Sequence, residues 1–186
     1  AWQADMRAAS QESIDQLDGA CLTVEIIFTD GSSQTKTYSL TTGRLGIVED
    51  AAGLRDTLDS GRCAGILTVE GASALAGDLR HLEDLAASGV KLITITWNGS
   101  NELGHGCLSG CPDGLTPFGK RAVRRMEELS ILPDVSHLNE AGFWDVAETA
   151  AGPFLASHSV SAALCSSPRN LDDRQFAAIR DRGGLV

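Results

Sequence analysis

The sequence predicts an α/β fold built on a parallel sheet. From Gly43 onward, short apolar segments of strand type alternate with helical segments, which is the pattern of successive βα units. Two of these apolar segments end in the same dipeptide, Ser-His, with one helical segment between them. Because the carboxyl ends of parallel strands meet at the edge where ligands and metals bind, His137 and His158 are expected to face a common site.

The elements are assigned in chain order. A helix is predicted over residues 3–17, and residues 21–40 are a predicted β-hairpin insertion because two strand-type segments flank the turn sequence Asp30-Gly-Ser-Ser33. The pattern then predicts strands over 44–48, 64–69, 92–96, 131–135, 153–156 and 184–186. It predicts helices over 50–60, 74–88, 117–129, 139–150 and 172–181. With no linker or repeat, residues 1–186 are expected to form a single domain.

Composition narrows the class of protein. The chain has 186 residues, of which 42% are hydrophobic and 22% are charged, and this composition suits one well-packed core. A net charge of −10 and a pI near 4.7 argue against binding to nucleic acid or to an anionic membrane surface. No apolar run approaches the ~20 residues that span a bilayer, so no membrane segment is expected.

The five cysteines are scattered through the chain, which is not the spacing of a disulfide framework. They are therefore expected to be free thiols in a reducing, cytoplasmic compartment. His105 stands near Cys107 and Cys111 in a glycine-rich loop. A local metal site or disulfide is the lesser alternative there, because the loop offers too few ligands for a structural zinc, and unpaired loop cysteines are favoured.

Several motifs, in order along the chain, resemble one enzyme family. They are Leu67-Thr-Val-Glu-Gly71, Gly114-Leu-Thr-Pro-Phe-Gly119, Asp134-Val-Ser-His-Leu138, Pro153-Phe-Leu-Ala-Ser-His-Ser159, Pro168-Arg-Asn-Leu171 and Arg182-Gly-Gly-Leu-Val186. Together they resemble the membrane (renal) dipeptidase family of zinc peptidases, from about residue 43 to the last residue. The resemblance implies an amidohydrolase-type (β/α)8 barrel, a TIM-type fold, and an enzyme that hydrolyses dipeptides.

The implied barrel is expected to be incomplete in this chain. A barrel of this type needs about 250 residues, whereas about six strands are visible here and the last begins at the final residues. The family's opening His-x-Asp metal motif has no match, and its closing aspartate is expected beyond Val186. The missing parts are expected outside this chain, and a homodimer or a companion chain that completes the barrel is considered.

The resemblance also implies a metal centre. By their positions in the motifs, Glu70 is the carboxylate that bridges two metal ions, and His137 and His158 complete the coordination of one of them. Neutral imidazoles with a carboxylate suit zinc, and two zinc ions per complete site are expected. From the residues alone, Glu70 at the end of a strand is equally well an exposed residue that begins a loop.

The implied reaction is hydrolysis of the peptide bond of a dipeptide by a metal-activated water. The family's equivalent of Arg169 binds the terminal carboxylate of the substrate; without that context, such an arginine is more typical of a surface salt bridge. Asn170 is expected to cap the following helix or to order its loop. The catalytic acid/base is expected outside this chain. The alternative function is a non-catalytic remnant that binds metal or small carboxylates without turnover.

Four further residues are candidates for the pocket or its surroundings: Trp97, Asn98, Asn101 and Asp134. Many relatives carry a histidine where this chain has Trp97, so the group that stabilises the oxyanion is unassigned, and Asn98, Asn101 and His105 are candidates for it. Asp134 is expected either to steady His137 or to make a buried structural hydrogen bond.

Overall fold

The computed structural model describes residues 45–186 together with the strand residues 21–27 and 33–39. The helix predicted over residues 3–17 lies outside the described residues. By its internal contacts the chain divides into two compact units, Ala1–Ile66 and Leu67–Val186, and each is described by itself. The expectation of a single domain stays a prediction.

The first unit contains a hairpin-type strand pair and one βαβ unit. Strand β1 (Cys21–Ile27) pairs antiparallel with β2 (Ser33–Ser39), as the hairpin prediction requires. Strand β3 (Leu45–Ile47) pairs parallel with β4 (Cys63–Gly65), and helix α1 (Ala51–Asp59) connects them. The carboxylate of Asp50 accepts a hydrogen bond from the N–H of Gly53 and begins the helix.

The second unit is built on a parallel sheet whose strands are neighbours in sequence order. Strands β5 (Leu67–Glu70), β6 (Val90–Thr94) and β7 (Leu132–Asp134) form this sheet. The predicted segments 153–156 and 184–186 extend it through isolated hydrogen bonds. Leu155 bonds to the backbone on both sides of Asp134, at 2.8 and 3.0 Å, and the Ala156 N–H donates to Leu185 O at 3.0 Å.

This order confirms the α/β fold class and the parallel sheet. Each β-type segment pairs with the next one along the chain, which is how a (β/α) barrel is wound. Five successive segments of the second unit are joined in sequence order, and closure into a barrel stays a prediction. Because these segments are parallel, their carboxyl ends lie at the same edge of the sheet.

Four α-helices pack on this unit: α2 (Arg80–Ala87), α3 (Pro117–Glu128), α4 (Glu140–Thr149) and α5 (Asp173–Asp181). Thr116, Asn139 and Asp172 precede the last three, and each side chain accepts an N–H bond from three residues later. The core between helices and sheet is apolar. Its fully buried side chains include Leu82, Leu85, Ile93, Val123, Met126, Phe143, Phe154 and Ile179.

Two predicted elements are divided in the structure. The strand predicted over 64–69 breaks at Ile66, and its two parts belong to different sheets, since Gly65 has no side chain to hold the strand in one sheet. The helix predicted over 74–88 is a short 3-10 helix, Ala72–Leu75, followed by α2. Ala76 and Gly77 separate these helices with φ of 47° and 76°, a left-handed turn that an α-helix cannot include.

Asn170 does not cap α5. Asp172 caps that helix and forms a capping box with Gln175. The side chain of Asn170 instead accepts from the N–H of Val160 and donates to Cys165 O, at 3.2 and 2.8 Å. The alternative expectation, that Asn170 orders its own loop, is confirmed.

The described cysteine side chains are free thiols, namely Cys63, Cys107, Cys111 and Cys165. This agrees with the thiols expected from the sequence, and the cytoplasmic location stays a prediction. Among the described residues, no helix combines the length and the apolar character that crossing a bilayer demands.

Candidate metal centre

Glu70, His137 and His158 converge at the carboxyl edge of the sheet. Glu70 ends β5, His137 follows β7, and His158 follows the segment that pairs beside β7. The Oε1 atom of Glu70 lies 3.1 Å from His137 Nε2 and 3.4 Å from His158 Nε2. The two Nε2 atoms are 2.7 Å apart. The structure therefore brings together the three residues that the sequence placed at one edge.

The hydrogen bonds of His137 determine which ring nitrogen carries the proton. Its Nδ1 lies 2.9 Å from Asn98 Oδ1, and an amide oxygen only accepts, so Nδ1–H donates and Nε2 keeps its lone pair. Burial lowers the pKa of His137, and the neighbouring His158 and Arg169 lower it further, against the opposing effect of Glu70. His137 is therefore a neutral ring with Nε2 available as a ligand.

His158 is fixed in the same tautomer through a serine. The hydroxyl of Ser157 donates to Asp134 Oδ2 at 2.6 Å, so it accepts from Nδ1–H of His158 at 2.7 Å. Nε2 of His158 then carries a lone pair. The atoms that meet at the sheet edge are two imidazole lone pairs and one carboxylate oxygen, with no proton assigned between them.

This set of donors fits a divalent cation. Lone pairs 2.7 Å apart repel each other unless a positive charge lies among them. Neutral imidazole nitrogen with carboxylate oxygen is a zinc-type ligand set, and each imidazole is held by a hydrogen bond on its other nitrogen, as metal-bound histidines are. The side chain of Glu70 is 54% exposed, so its carboxylate also faces solvent.

Asp134 accepts hydrogen bonds from both of the loops that carry the histidines. It is fully buried and accepts hydrogen bonds from the Thr94 hydroxyl, the Ser136 N–H, and the N–H and hydroxyl of Ser157. Burial alone would raise its pKa, but the bonds from Ser157 and Thr94 outweigh that effect and the pKa is lowered. Of the two roles expected for Asp134, the structure shows the buried structural hydrogen bonds. Its connection to a histidine side chain runs through Ser157 to His158 and not to His137.

The backbone of His137 is held in a left-handed conformation. His137 has φ of 71°, a left-handed conformation that costs a non-glycine residue about 1 kcal/mol. The N–H of Cys107 holds this backbone by donating to His137 O at 2.7 Å.

Ser136 Oγ accepts from the N–H of His158 at 3.1 Å. The serine of each Ser-His pair therefore helps to place His158.

Arg169 lies beside His137 and also lines a cavity. Its Nη1 lies 3.5 Å from His137 Nε2, and the arginine is exposed to solvent. It also lines a cavity of about 270 Å³ together with Ser167, Asn170 and Arg174. A guanidinium in this position offers two parallel N–H groups to a carboxylate.

The other candidates lie at different distances from the centre. Trp97 is 60% exposed, and its ring centroid lies 6.2 Å from that of His137. Asn98 contacts His137 directly. Asn101 bonds only within its own loop, to Ile95 O and to the N–H groups of Leu103 and Gly104. Within the described residues, the side chain of Asn101 makes no hydrogen bond to Glu70, His137 or His158.

Sequence reasoning missed Ser157, which is the direct support of His158. The repeated Ser-His dipeptide was a visible sign of its role, because both serines bond to groups of the second histidine. Which hydroxyl bonds to which ring depends on the folding of two loops separated by one helix, and the sequence does not specify that.

An α/β chain that gathers carboxylate and imidazole ligands at the ends of its parallel strands has the arrangement of a metal-dependent hydrolase. The membrane dipeptidase family (peptidase family M19) matches residues 32–186. The chain belongs to this family, which confirms the resemblance drawn from the motifs.

Individual relatives agree with this assignment. An uncharacterized Klebsiella pneumoniae protein of the pqqA 5′ region is 40% identical over 150 residues, which cover 77% of this chain and 55% of that protein. The dipeptidase tcpJ of Claviceps purpurea is 28% identical over 129 residues, covering 68% of this chain and 30% of that protein. Residues 32–186 thus share their family with longer proteins, and the chain spans about half the length of the first curated relatives it matches.

A solved structure gives the same result. A metallo peptidase from Rhodobacter sphaeroides, liganded with a phosphinate mimic of the dipeptide L-Ala-D-Ala, is 38% identical with a TM-score of 0.72. The match covers 77% of this chain and 43% of that chain.

Proposed function

We propose that the protein hydrolyses the peptide bond of dipeptides, with zinc held by Glu70, His137 and His158. The observation that carries the proposal is the meeting of two imidazole lone pairs and a carboxylate oxygen at one edge of the sheet. Membership of the membrane dipeptidase family supports it, as does the relative that was solved with a mimic of L-Ala-D-Ala.

The roles of the side chains follow from their hydrogen bonds. Bound zinc would supply a water that ionises near neutral pH and a positive charge that polarises the scissile carbonyl. Asn98 and Ser157 hold the rings of His137 and His158 with Nε2 facing the centre. Two zinc ions per complete site stay a prediction, as does the acid/base outside this chain, and the three converging residues account for the ligands of one ion.

Arg169 would select for short substrates. Its guanidinium lies within 3.5 Å of His137, so a carboxylate bound to it is placed close to the metal centre. The terminal carboxylate and the scissile bond next to it would then be held a short distance apart, as they are in a dipeptide, and the rejection of longer peptides is expected from membership of the dipeptidase family. The cavity of about 270 Å³ beside Arg169 is also of a size for a small ligand.

The test uses the native protein loaded with zinc and assayed against L-Ala-L-Ala, L-Ala-D-Ala and a tripeptide. We expect turnover of at least one dipeptide and none of the tripeptide. His158→Ala should abolish turnover, whereas His81→Gln, outside the site, should retain it. Arg169→Ala should raise KM more than it lowers kcat, because the arginine binds the end of the substrate that does not react. Turnover that survives His158→Ala in a folded variant would contradict the proposal.

The second candidate is a protein that binds small carboxylates without turnover. The position of Arg169 beside the metal cluster favours it, because that geometry provides carboxylate binding whether or not a reaction follows. Calorimetric binding of a dipeptide by the zinc-loaded native protein, with no release of free amino acids, would support this alternative.

A further inference from the structure

A second group of metal-type side chains lies in the loop between β6 and α3. His105, Cys111 and Asp113 each offer one ligand atom, and the three atoms lie within 4.8 Å of one another. The sequence had shown His105 and Cys111 in this loop but gave no reason to include Asp113. It is the fold of the loop that adds a third ligand.

One asparagine holds the backbones of all three residues. The N–H of Asn139 donates to His105 O at 3.0 Å, and its side-chain Nδ2 donates to Cys111 O and Asp113 O at 2.9 and 2.8 Å. Its Oδ1 accepts from the Gly142 N–H at the start of α4. The backbone carbonyl groups of the three residues are therefore tied to the start of α4.

The side chains are also arranged for a cation. Nδ1 of His105 lies 2.7 Å from the hydroxyl of Ser100, which leaves Nε2 as the ring nitrogen without a recorded bond. The thiol of Cys111 donates to Asp113 Oδ2 at 3.7 Å. The thiol proton thus lies between the Cys111 sulfur and the Asp113 carboxylate, and the thiol becomes a thiolate when a metal ion replaces that proton.

We propose that His105, Cys111 and Asp113 form a second cation site, selective for zinc-type divalent ions. Imidazole nitrogen, thiolate sulfur and carboxylate oxygen are zinc ligands, and thiolate makes the site softer than the Glu70 centre. Three protein ligands leave a fourth position for water. Cys107 is not a member, since the ligand atoms that lie within 4.8 Å of one another belong to His105, Cys111 and Asp113.

The cation would stiffen the loop that supports the first centre. Gly106 N–H donates to Gly99 O, and Leu108 N–H donates to Asn98 O at 3.1 Å. Asn98 in turn holds the ring of His137. An ion bound between His105 and Asp113 therefore fixes the segment on which the orientation of a ligand of the first centre depends.

The experiment is a titration of the native protein with Co²⁺ under reducing conditions, followed by absorption spectroscopy. A thiolate bound to Co²⁺ gives a charge-transfer band in the near ultraviolet, and the Glu70 centre contains no thiolate. We expect the band in the native protein and in His158→Ala. We expect it to be lost in Cys111→Ser and kept in Cys107→Ser, which is the matched control in the same loop.

If Cys111→Ser does not fold, a second variant and a second measurement still test the proposal. Asp113→Asn changes an exposed side chain, and we expect it to weaken Co²⁺ binding by about tenfold or more. In the unmodified protein, Zn²⁺ should protect Cys111 from alkylation, as measured by peptide mass spectrometry. Absence of the band, its persistence in Cys111→Ser, or unprotected Cys111 at saturating Zn²⁺ would each overturn the proposal.

Discussion

Asp134, Ser157 and His158 form a relay of hydrogen bonds from the core to the metal cluster. A fully buried carboxylate accepts from the serine hydroxyl, and that hydroxyl must then accept from the ring. The proton of His158 is thereby confined to Nδ1. The relay transfers no charge, and its effect is to hold Nε2 of His158 toward Glu70 and His137 in one tautomer and one orientation.

Removing the middle of this relay should weaken metal binding. In Ser157→Ala, Nδ1 of His158 loses its partner and the ring is free to rotate and change tautomer, so zinc affinity should fall by about 10- to 100-fold. Competition with a chromophoric chelator measures the change. Ser157→Thr, which keeps the hydroxyl, should restore most of the affinity. If Ser157→Ala binds zinc as the native protein does, His158 is not held in the way described.

Replacing Asp134 should destabilise the fold in a pH-dependent manner. Asp134→Asn turns an amide N–H toward buried donors, so the free energy of unfolding should fall by about 3 kcal/mol at about pH 7. The folded-state pKa of Asp134 lies below the ordinary 3.8, so its contribution is present above that value and is lost as the pH falls through the folded pKa.

Urea unfolding of both proteins at about pH 7 and about pH 3 checks this prediction. The difference between native protein and variant should narrow at the lower pH, which lies below the ordinary 3.8, because the unfolded native chain there binds a proton that the folded carboxylate resists. A difference that is equal at both pH values would mean that the charge of Asp134 contributes nothing.

At the scale of the elements, local sequence chemistry defined some helices closely. Helix α3 was predicted over 117–129 and found over Pro117–Glu128, because Thr116 and Pro117 provide a cap and a preset first turn. The helix predicted over 74–88 was divided, since the turn at Ala76 and Gly77 is not visible in the hydrophobic pattern. The start of α3 at Thr116 and Pro117 was predictable, whereas the sequence also offered Asn170 as the cap of α5, where Asp172 is the cap, and the break at Ala76 was not visible.

The capping box of α5 offers a test at this scale. Asp172 accepts from the N–H of Gln175, and the side chain of Gln175 accepts from the N–H of Asp172. Asp172→Ala should lower the free energy of unfolding by about 1 kcal/mol. Asp172→Asn, which keeps an acceptor oxygen, should lose much less in the same thermal or urea unfolding experiment. Equal losses in the two variants would show that the charge of Asp172, and not the cap, is responsible.

At the scale of the whole molecule, the order of the sheet explains why the site could be predicted. Parallel segments that pair in sequence order bring the ends of β5 and β7 and of the segment 153–156 to one edge. The proximity of the candidate ligands Glu70, His137 and His158 follows from that order and from the motifs. Contacts between loops, such as those of Ser157 and Asn139, depend on the folded geometry and could not be predicted.

Family membership and geometry support the same account from independent directions. The family match covers residues 32–186, and the ligands lie within it. A homodimer or a companion chain stays a prediction, and light scattering of the native protein would determine the number of subunits. Glu70, His137 and His158 all lie within the second unit, Leu67–Val186.

Zinc anomalous diffraction from crystals of the native protein grown with zinc tests the central claim most directly. The account predicts an anomalous peak between Glu70 Oε1, His137 Nε2 and His158 Nε2, at roughly 2.0–2.2 Å from each after the side chains adjust. The same crystals of Ser157→Ala should show a weaker peak at that position. No peak among these three atoms at saturating zinc would contradict the account, because their lone pairs would then converge for some reason other than a metal ion.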